Sequence, residues 1–89
     1  MTMNVHIIED SVRSVLVDIL GVSHERASRF TADTGLFGSL PELDSMAVAS
    51  LLTEIEDRLG ITIDDDEVDA EMLETFGALV DFAVRKSAE

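Results

Sequence analysis

Leu43-Asp44-Ser45-Met46 is the stretch of this 89-residue chain whose residue types and order best suit chemistry. A serine at the mouth of a helix holds its hydroxyl outward, close to backbone N–H groups that have no intrahelical acceptor. Such a place favours a phosphate ester over most other attachments, because helix N-termini stabilise anions. The plain alternative is that Ser45, or Asp44, is an N-cap and nothing more. Other reactive side chains are scarce. Cysteine is absent, which removes disulfides, thiolate metal sites and thiol nucleophiles together. His6 and His24 sit at opposite ends of the first expected helix, where they read as surface or helix-end residues. Neither has the neighbours that a zinc site needs. A serine hydrolase would require a base beside Ser45 and an oxyanion hole, and no residue set in the sequence supplies them.

The run Asp64-Asp65-Asp66-Glu67-Val68-Asp69-Ala70-Glu71 invites a calcium loop. An EF-hand loop needs a glycine at its sixth position and a glutamate at its twelfth. Counted from Asp64, these positions hold Asp69 and Thr75, so no dedicated metal site is expected.

The elements that must position Ser45 follow from hydrophobic spacing. Val5, Ile8, Val12, Val15, Leu16 and Ile19 recur at steps of three and four, predicting a helix over about residues 5–20. Asn4 would cap its start and Gly21 its end. Residues 21–43 show no sustained period and contain Gly21, Gly35, Gly38 and Pro41, so they read as one long connection. Phe30, Leu36, Phe37, Leu40 and Leu43 would anchor it, with a short helical turn near Glu25–Arg29.

A second long helix opens at Asp44 or Ser45 and runs to about Leu59, with Val48, Leu51, Leu52, Ile55 and Leu59 inward and Gly60 ending it. Ile61-Thr62-Ile63 alternates like a short extended piece. A short helix would follow, entered through the acidic run and turning Val68, Met72 and Leu73 inward. Thr75 caps a last helix with Phe76, Leu79, Val80 and Ala83 on its buried face and Arg85 and Lys86 near its C-terminal end. The expected fold is all-α: a small four-helix bundle of three longer helices and one short one, with a long loop between the first two. It forms a single domain over residues 1–89, ordered from about 5 to 84.

Charge bounds the partners. Nineteen Asp or Glu stand against six Lys or Arg, a formal net charge of −13. Residues 1–41 carry 5 acids and 3 bases; residues 42–89 carry 14 acids and 3 bases. Such a surface repels phosphate backbones and anionic headgroups, so nucleic acid and direct membrane binding are not expected. Basic protein surfaces are the natural partners. With no apolar run near the ~20 residues of a bilayer span and no signal-peptide pattern, a cytoplasmic monomer is the expectation.

Taken together, the order of features resembles the carrier-protein family, the acyl carrier proteins and their aminoacyl relatives. An amphipathic helix comes first, then a long loop with Phe37 eight residues before the serine, then Asp44-Ser45-Met46. Leu59-Gly60-Ile61-Thr62-Ile63, an acidic short helix and Glu74-Thr75-Phe76 follow, so the likeness runs from about Val5 to Val84. The family's attachment motif, Asp-Ser-Leu or Asp-Ser-Met, lands on Asp44, Ser45 and Met46. The resemblance implies that Ser45 bears a 4′-phosphopantetheine arm, delivered from coenzyme A by a separate phosphopantetheinyl transferase. The arm's thiol would hold the cargo as a thioester while partner enzymes do the chemistry.

Two departures bear on the cargo. Pro41-Glu42-Leu43 stands where fatty-acid-synthesis carriers have a glycine and a small residue, and Ala47 and Ser50 stand where they have acids. The preferred expectation is a carrier of acyl intermediates in a lipid, polyketide or other specialised pathway. It would be served by an acyl-activating ligase or by acyl-transfer or condensing enzymes. Met46, Ala49, Glu54, Glu56 and Asp57 would form the docking side. Leu43-Asp44-Ser45-Met46 is also similar to the motif of D-alanyl carriers, so an aminoacyl or peptidyl cargo is the alternative. A third possibility, from another class, is a non-enzymatic acidic helical adaptor in which Ser45 only caps a helix.

Overall fold

The computed structural model describes residues 4–88. Four α-helices follow in order: α1 (Val5–Leu20), α2 (His24–Ser28), α3 (Ser45–Leu59) and α4 (Phe76–Ser87). Two 3₁₀ turns, Asp65–Glu67 and Glu71–Leu73, lie between α3 and α4. Among the described residues there is no named strand, only an isolated bridge between Gly35 and Thr75. The α1 helix is central and packs on α2, α3 and α4.

Each long helix begins and ends for a local reason. The Asn4 side chain accepts from the His6 amide, and Gly21 closes α1 in the left-handed conformation at φ 73°. Asp44 caps α3, and Thr75 caps α4 by accepting from the Ala78 amide. Ile8, Val12, Val15, Leu16 and Leu20 of α1 are buried against Leu51, Leu52, Ile55 and Leu59 of α3 and Phe76, Leu79, Val80, Phe82 and Ala83 of α4. Val5 departs from its expected place in the stripe: at the first position of α1 it is half exposed, and Leu20 at the other end is buried instead. Ile19 and Val48 are partly buried at the edges of the core.

The long connection is ordered by its own side chains. Its short helix, α2, is capped by Ser23 and buries Ala27. Phe30, Leu36, Leu40 and Leu43 enter the core as anchors, while Phe37 does not and is 45% exposed. The backbone explains the difference. Leu36 and Phe37 donate to the Glu74 and Leu73 carbonyls, both at 2.9 Å, and Phe76 and Gly77 donate back to Thr34 and Ala32 at 2.8 and 3.0 Å. Leu36 also opens a turn, its carbonyl accepting from the Ser39 and Leu40 amides at 3.0 and 2.8 Å, and Phe37 lies in that turn with its side chain outward. Arg13 completes the attachment. Its guanidinium donates to the carbonyls of Ala27 and Phe30, pairs with Glu9 at 2.8 Å and stands 4.7 Å over the Phe76 ring.

The expected short helix after Ile63 is replaced by the two 3₁₀ turns. Glu67 accepts from the Asp64 amide at 2.8 Å, and the Asp69 carboxylate takes the Met72 amide at 2.9 Å. The first bond is half of a capping box, which only starts a turn. Asp69, by contrast, takes the Met72 amide that a continuous helix would give to Val68, and neighbouring carboxylates disfavour the helical repeat. Met72 and Leu73 still reach the core, whereas Val68 is only partly buried at its margin. The last helix runs to Ser87 and carries Arg85 and Lys86 in its last turn, as expected.

Candidate functional site

Ser45 occupies the first position of α3, not its cap. The cap is Asp44, in extended conformation (φ −100°, ψ −176°), whose carboxylate accepts from the Ala47 amide at 2.8 Å. Leu40 and Leu43 are buried just upstream, with the Leu43 amide donating to the Leu40 carbonyl at 3.1 Å. These anchors plant the chain so that Asp44 and Ser45 emerge at the surface. Glu42 adds a lateral tie to α2 through Arg26 at 2.9 Å. A hydrogen bond from backbone N–H, and then the Arg26 guanidinium, hold the Glu42 carboxyl below the usual carboxylate range.

Beside Ser45 lies an open hollow of about 330 Å³, lined with Phe37, Val48, Val68, Asp69, Ala70 and Leu73. Its walls come from the long connection, α3 and the 3₁₀ segment. The Phe37–Leu73 backbone bond at 2.9 Å joins two of them. An exposed hydroxyl next to a helix N-terminus, with an apolar trough at its side, suits a phosphate ester that continues into a partly apolar chain. The trough-lining role of Phe37, Val68 and Ala70 was not foreseen.

The expected docking residues fall into two groups. Met46 is 83% exposed, directly after Ser45, and Ala49 is exposed one turn along. Asp57 is exposed farther down the same helix. Glu54 and Glu56 are turned to tasks inside the chain. Glu54 pairs with Arg58 at 2.8 Å, and Arg58 reaches across to Asp18 at 2.5 Å and to the Ser14 hydroxyl at 3.2 Å. These acceptors, Asp18 first, hold the Arg58 guanidinium above its ordinary pKa. Glu56 accepts from the Ile63 amide at 2.7 Å and so fastens the segment that leaves α3. His6 and His24 are both exposed. Among the described residues, no group of acids and histidines is arranged to hold a metal ion.

A family model described as "Phosphopantetheine attachment site" matches residues 10–83. A solved relative, a holo acyl carrier protein from Nitrosomonas europaea determined by solution NMR, is 40% identical with a TM-score of 0.82. The match covers 92% of this chain and 96% of that one. This chain belongs to the acyl carrier protein family. Its helical fold is that of an acyl carrier protein. The carrier is not an enzyme, and its cofactor is a covalently attached 4′-phosphopantetheine. Its general partners are a phosphopantetheinyl transferase and the biosynthetic enzymes that act on carried cargo.

Proposed function

We propose that Ser45 is the attachment residue and that this carrier shuttles acyl intermediates of a specialised lipid or polyketide pathway. The supporting observation is the division of labour at the head of α3. Asp44 takes the capping bond, and the Ser45 hydroxyl has no hydrogen-bond partner among the described residues. A hydroxyl with no structural duty at an exposed helix entrance is suited to be a nucleophile once a base is brought to it.

In the modification, the Ser45 oxygen forms a bond to the phosphorus that bears pantetheine in coenzyme A. The bond from that phosphorus to the adenosine bisphosphate side breaks, and the hydroxyl proton passes to a base on the transferase. The bound arm supplies a thiol for thioester chemistry. The chain's own residues do the positioning: Leu40 and Leu43 plant the attachment point, and Phe37, Val48, Val68 and Leu73 offer an apolar wall beside it.

Docking on this reading runs along the exposed side of α3, through Met46 and Ala49 toward Asp57. Ala47 and Ser50 leave the part nearest Ser45 uncharged, which supports a dedicated set of partners over general fatty acid synthesis. Glu54 and Glu56 can add to the field felt by a basic partner while keeping their internal contacts. Apo-protein incubated with coenzyme A and a broad-specificity transferase is expected to gain the mass of one arm, and Ser45→Ala none. Equal gain by both proteins would move the attachment elsewhere.

A further inference from the structure

The segment that walls the hollow beside Ser45 is weakly self-supported. Beyond the Glu67 to Asp64 bond at 2.9 Å, its turns are closed by long backbone bonds: Val68 to Asp65 at 3.2 Å, Leu73 to Ala70 at 3.3 Å and Glu74 to Glu71 at 3.3 Å. Asp64, Asp65, Asp66, Asp69 and Glu71 are all exposed on it, so the segment repels itself near neutrality. Met72 and Leu73 pin its far end in the core. Between its middle and α4 an open hollow of about 490 Å³ remains, so packing alone does not hold that part.

One charged contact spans the gap. The Lys86 ammonium of α4 pairs with Glu67 Oε1 at 2.8 Å, with the two side chains 10% and 29% exposed. The other carboxylate oxygen, Oε2, accepts from the Asp64 amide at 2.8 Å. Glu67 therefore joins the first turn of the segment to α4 with both oxygens engaged. The residues that follow it directly, Val68, Asp69 and Ala70, are the ones that line the hollow at Ser45.

We propose that Lys86 is a positioning residue for the arm: through Glu67 it holds the 3₁₀ segment against α4 and so sets the wall beside Ser45. The proposal rests on the assignment of the arm to Ser45. Neither Glu67 nor Lys86 lines the hollow at Ser45, so the tie acts on the arm through Val68–Ala70. Loss of the Lys86 charge leaves the acidic turn without this counter-charge, and the wall becomes free to part from α4.

Amide hydrogen exchange on apo-protein tests the tie itself. In Lys86→Met, the hydrogen-bonded amides of Asp64, Glu67 and Val68 are expected to exchange about tenfold faster, which corresponds to about 1.4 kcal/mol of local loosening. Glu67→Gln is expected to accelerate them severalfold, with α1 and α3 unchanged in both variants. The arm's part is read from backbone amide shifts. Conversion of apo to holo protein should move Val68 and Ala70 in wild type, and by less than half as much in Lys86→Met. Unchanged exchange in both variants, acceleration shared equally by α1 and α3, or identical shift changes would each overturn the proposal. Failure of wild type to gain the arm on Ser45 would overturn it through the attachment assignment instead, and the intact mass separates that case from the others.

Discussion

The Asp44 carboxylate accepts the Ala47 amide at 2.8 Å, and this contact relieves the adjacent Ser45 hydroxyl of capping duty. With the proposed attachment at Ser45, stability and modification fall to neighbouring residues and can be separated. Asp44→Ala removes the cap and is expected to cost about 0.5–2 kcal/mol in denaturant unfolding. Ser45→Ala keeps the cap and is expected to leave the midpoint nearly unchanged while abolishing the gain of the arm. A large loss of stability in Ser45→Ala would return the serine to a structural role and revive the adaptor reading.

The pairing of the long connection with the start of α4 makes a second prediction. The Gly77 amide donates to the Ala32 carbonyl at 3.0 Å, so the two backbones are in close approach. A Cβ built on Gly77 would lie 2.8 Å from the Ala32 carbonyl oxygen and 2.9 Å from its Cα. Backbone atoms cannot swing aside as a flexible side chain can. Gly77→Ala is expected to destabilise the carrier by about 1–3 kcal/mol, as other overpacking substitutions do. The lowered midpoint should come with faster amide exchange at Leu36 and Phe37, whose bonds to Leu73 and Glu74 share that pairing.

How far the sequence alone reaches depends on what decides each feature. The limits of α1 were legible because Asn4 and Gly21 act locally, through a side-chain cap and a left-handed turn. Asp44-Ser45-Met46 stood out as the entrance of a helix, although which of Asp44 and Ser45 caps it was not legible. The two are adjacent, equally good caps, and only backbone geometry distinguishes them. Phe37 was misplaced in the core because an isolated aromatic looks like an anchor. Phe37 lies in the turn that follows Leu36, and its amide is tied to Leu73, a residue far along the chain. The helix expected around Val68 did not form because its apolar spacing suited a helix while Asp69 took the Met72 amide that the helix would have needed. Glu54 and Glu56 looked like a solvated face. Their bonds to Arg58 and the Ile63 amide arise from the way α3 lies against α1 and the segment behind it.

The inter-helix contact of Arg58 with Asp18 gives a measure of how little surface charge pairs add. The pair is 2.5 Å long with side chains 30% and 50% exposed, so water screens it. A double-mutant cycle with Arg58→Met and Asp18→Asn is expected to return a coupling of about 0.2–1 kcal/mol. Much larger coupling would mean that the Ser14, Asp18 and Glu54 contacts act as one cooperative network rather than as separate surface pairs.

Net charge dominates these individual pairs. At −13, with most acids after residue 41, the folded chain repels itself, and compaction brings those carboxylates closer. Added salt should therefore raise the melting temperature at pH 7. Thermal unfolding by circular dichroism at about 0.02 and 0.5 M sodium chloride, concentrations on either side of a 10 Å screening length, checks this. A falling melting temperature would show that the ion pairs of Arg58, Arg26 and Lys86 outweigh the repulsion.

Acid should remove what the Glu67 carboxylate adds to stability. Lys86 first, and then the Asp64 amide, hold the Glu67 carboxyl below its ordinary value. A carboxylate with a lowered folded pKa adds stability above its unfolded pKa, and that contribution is lost as pH falls through the folded value. Mutual repulsion among the exposed Asp64, Asp65, Asp66, Asp69 and Glu71 of the segment and Asp81 of α4 is a separate effect that opposes it. Comparison with Lys86→Met isolates the first effect, because the surrounding acids are common to both proteins. Wild type should be the more stable at pH 7, with the difference shrinking below the ordinary glutamate pKa of about 4.3 and vanishing once Glu67 is protonated. Carbon-13 titration of the Glu67 carboxyl should give a midpoint below that ordinary value in wild type and a higher one in Lys86→Met. Coincident midpoints in the two proteins would show that the Asp64 amide, and not Lys86, sets the charge state of Glu67.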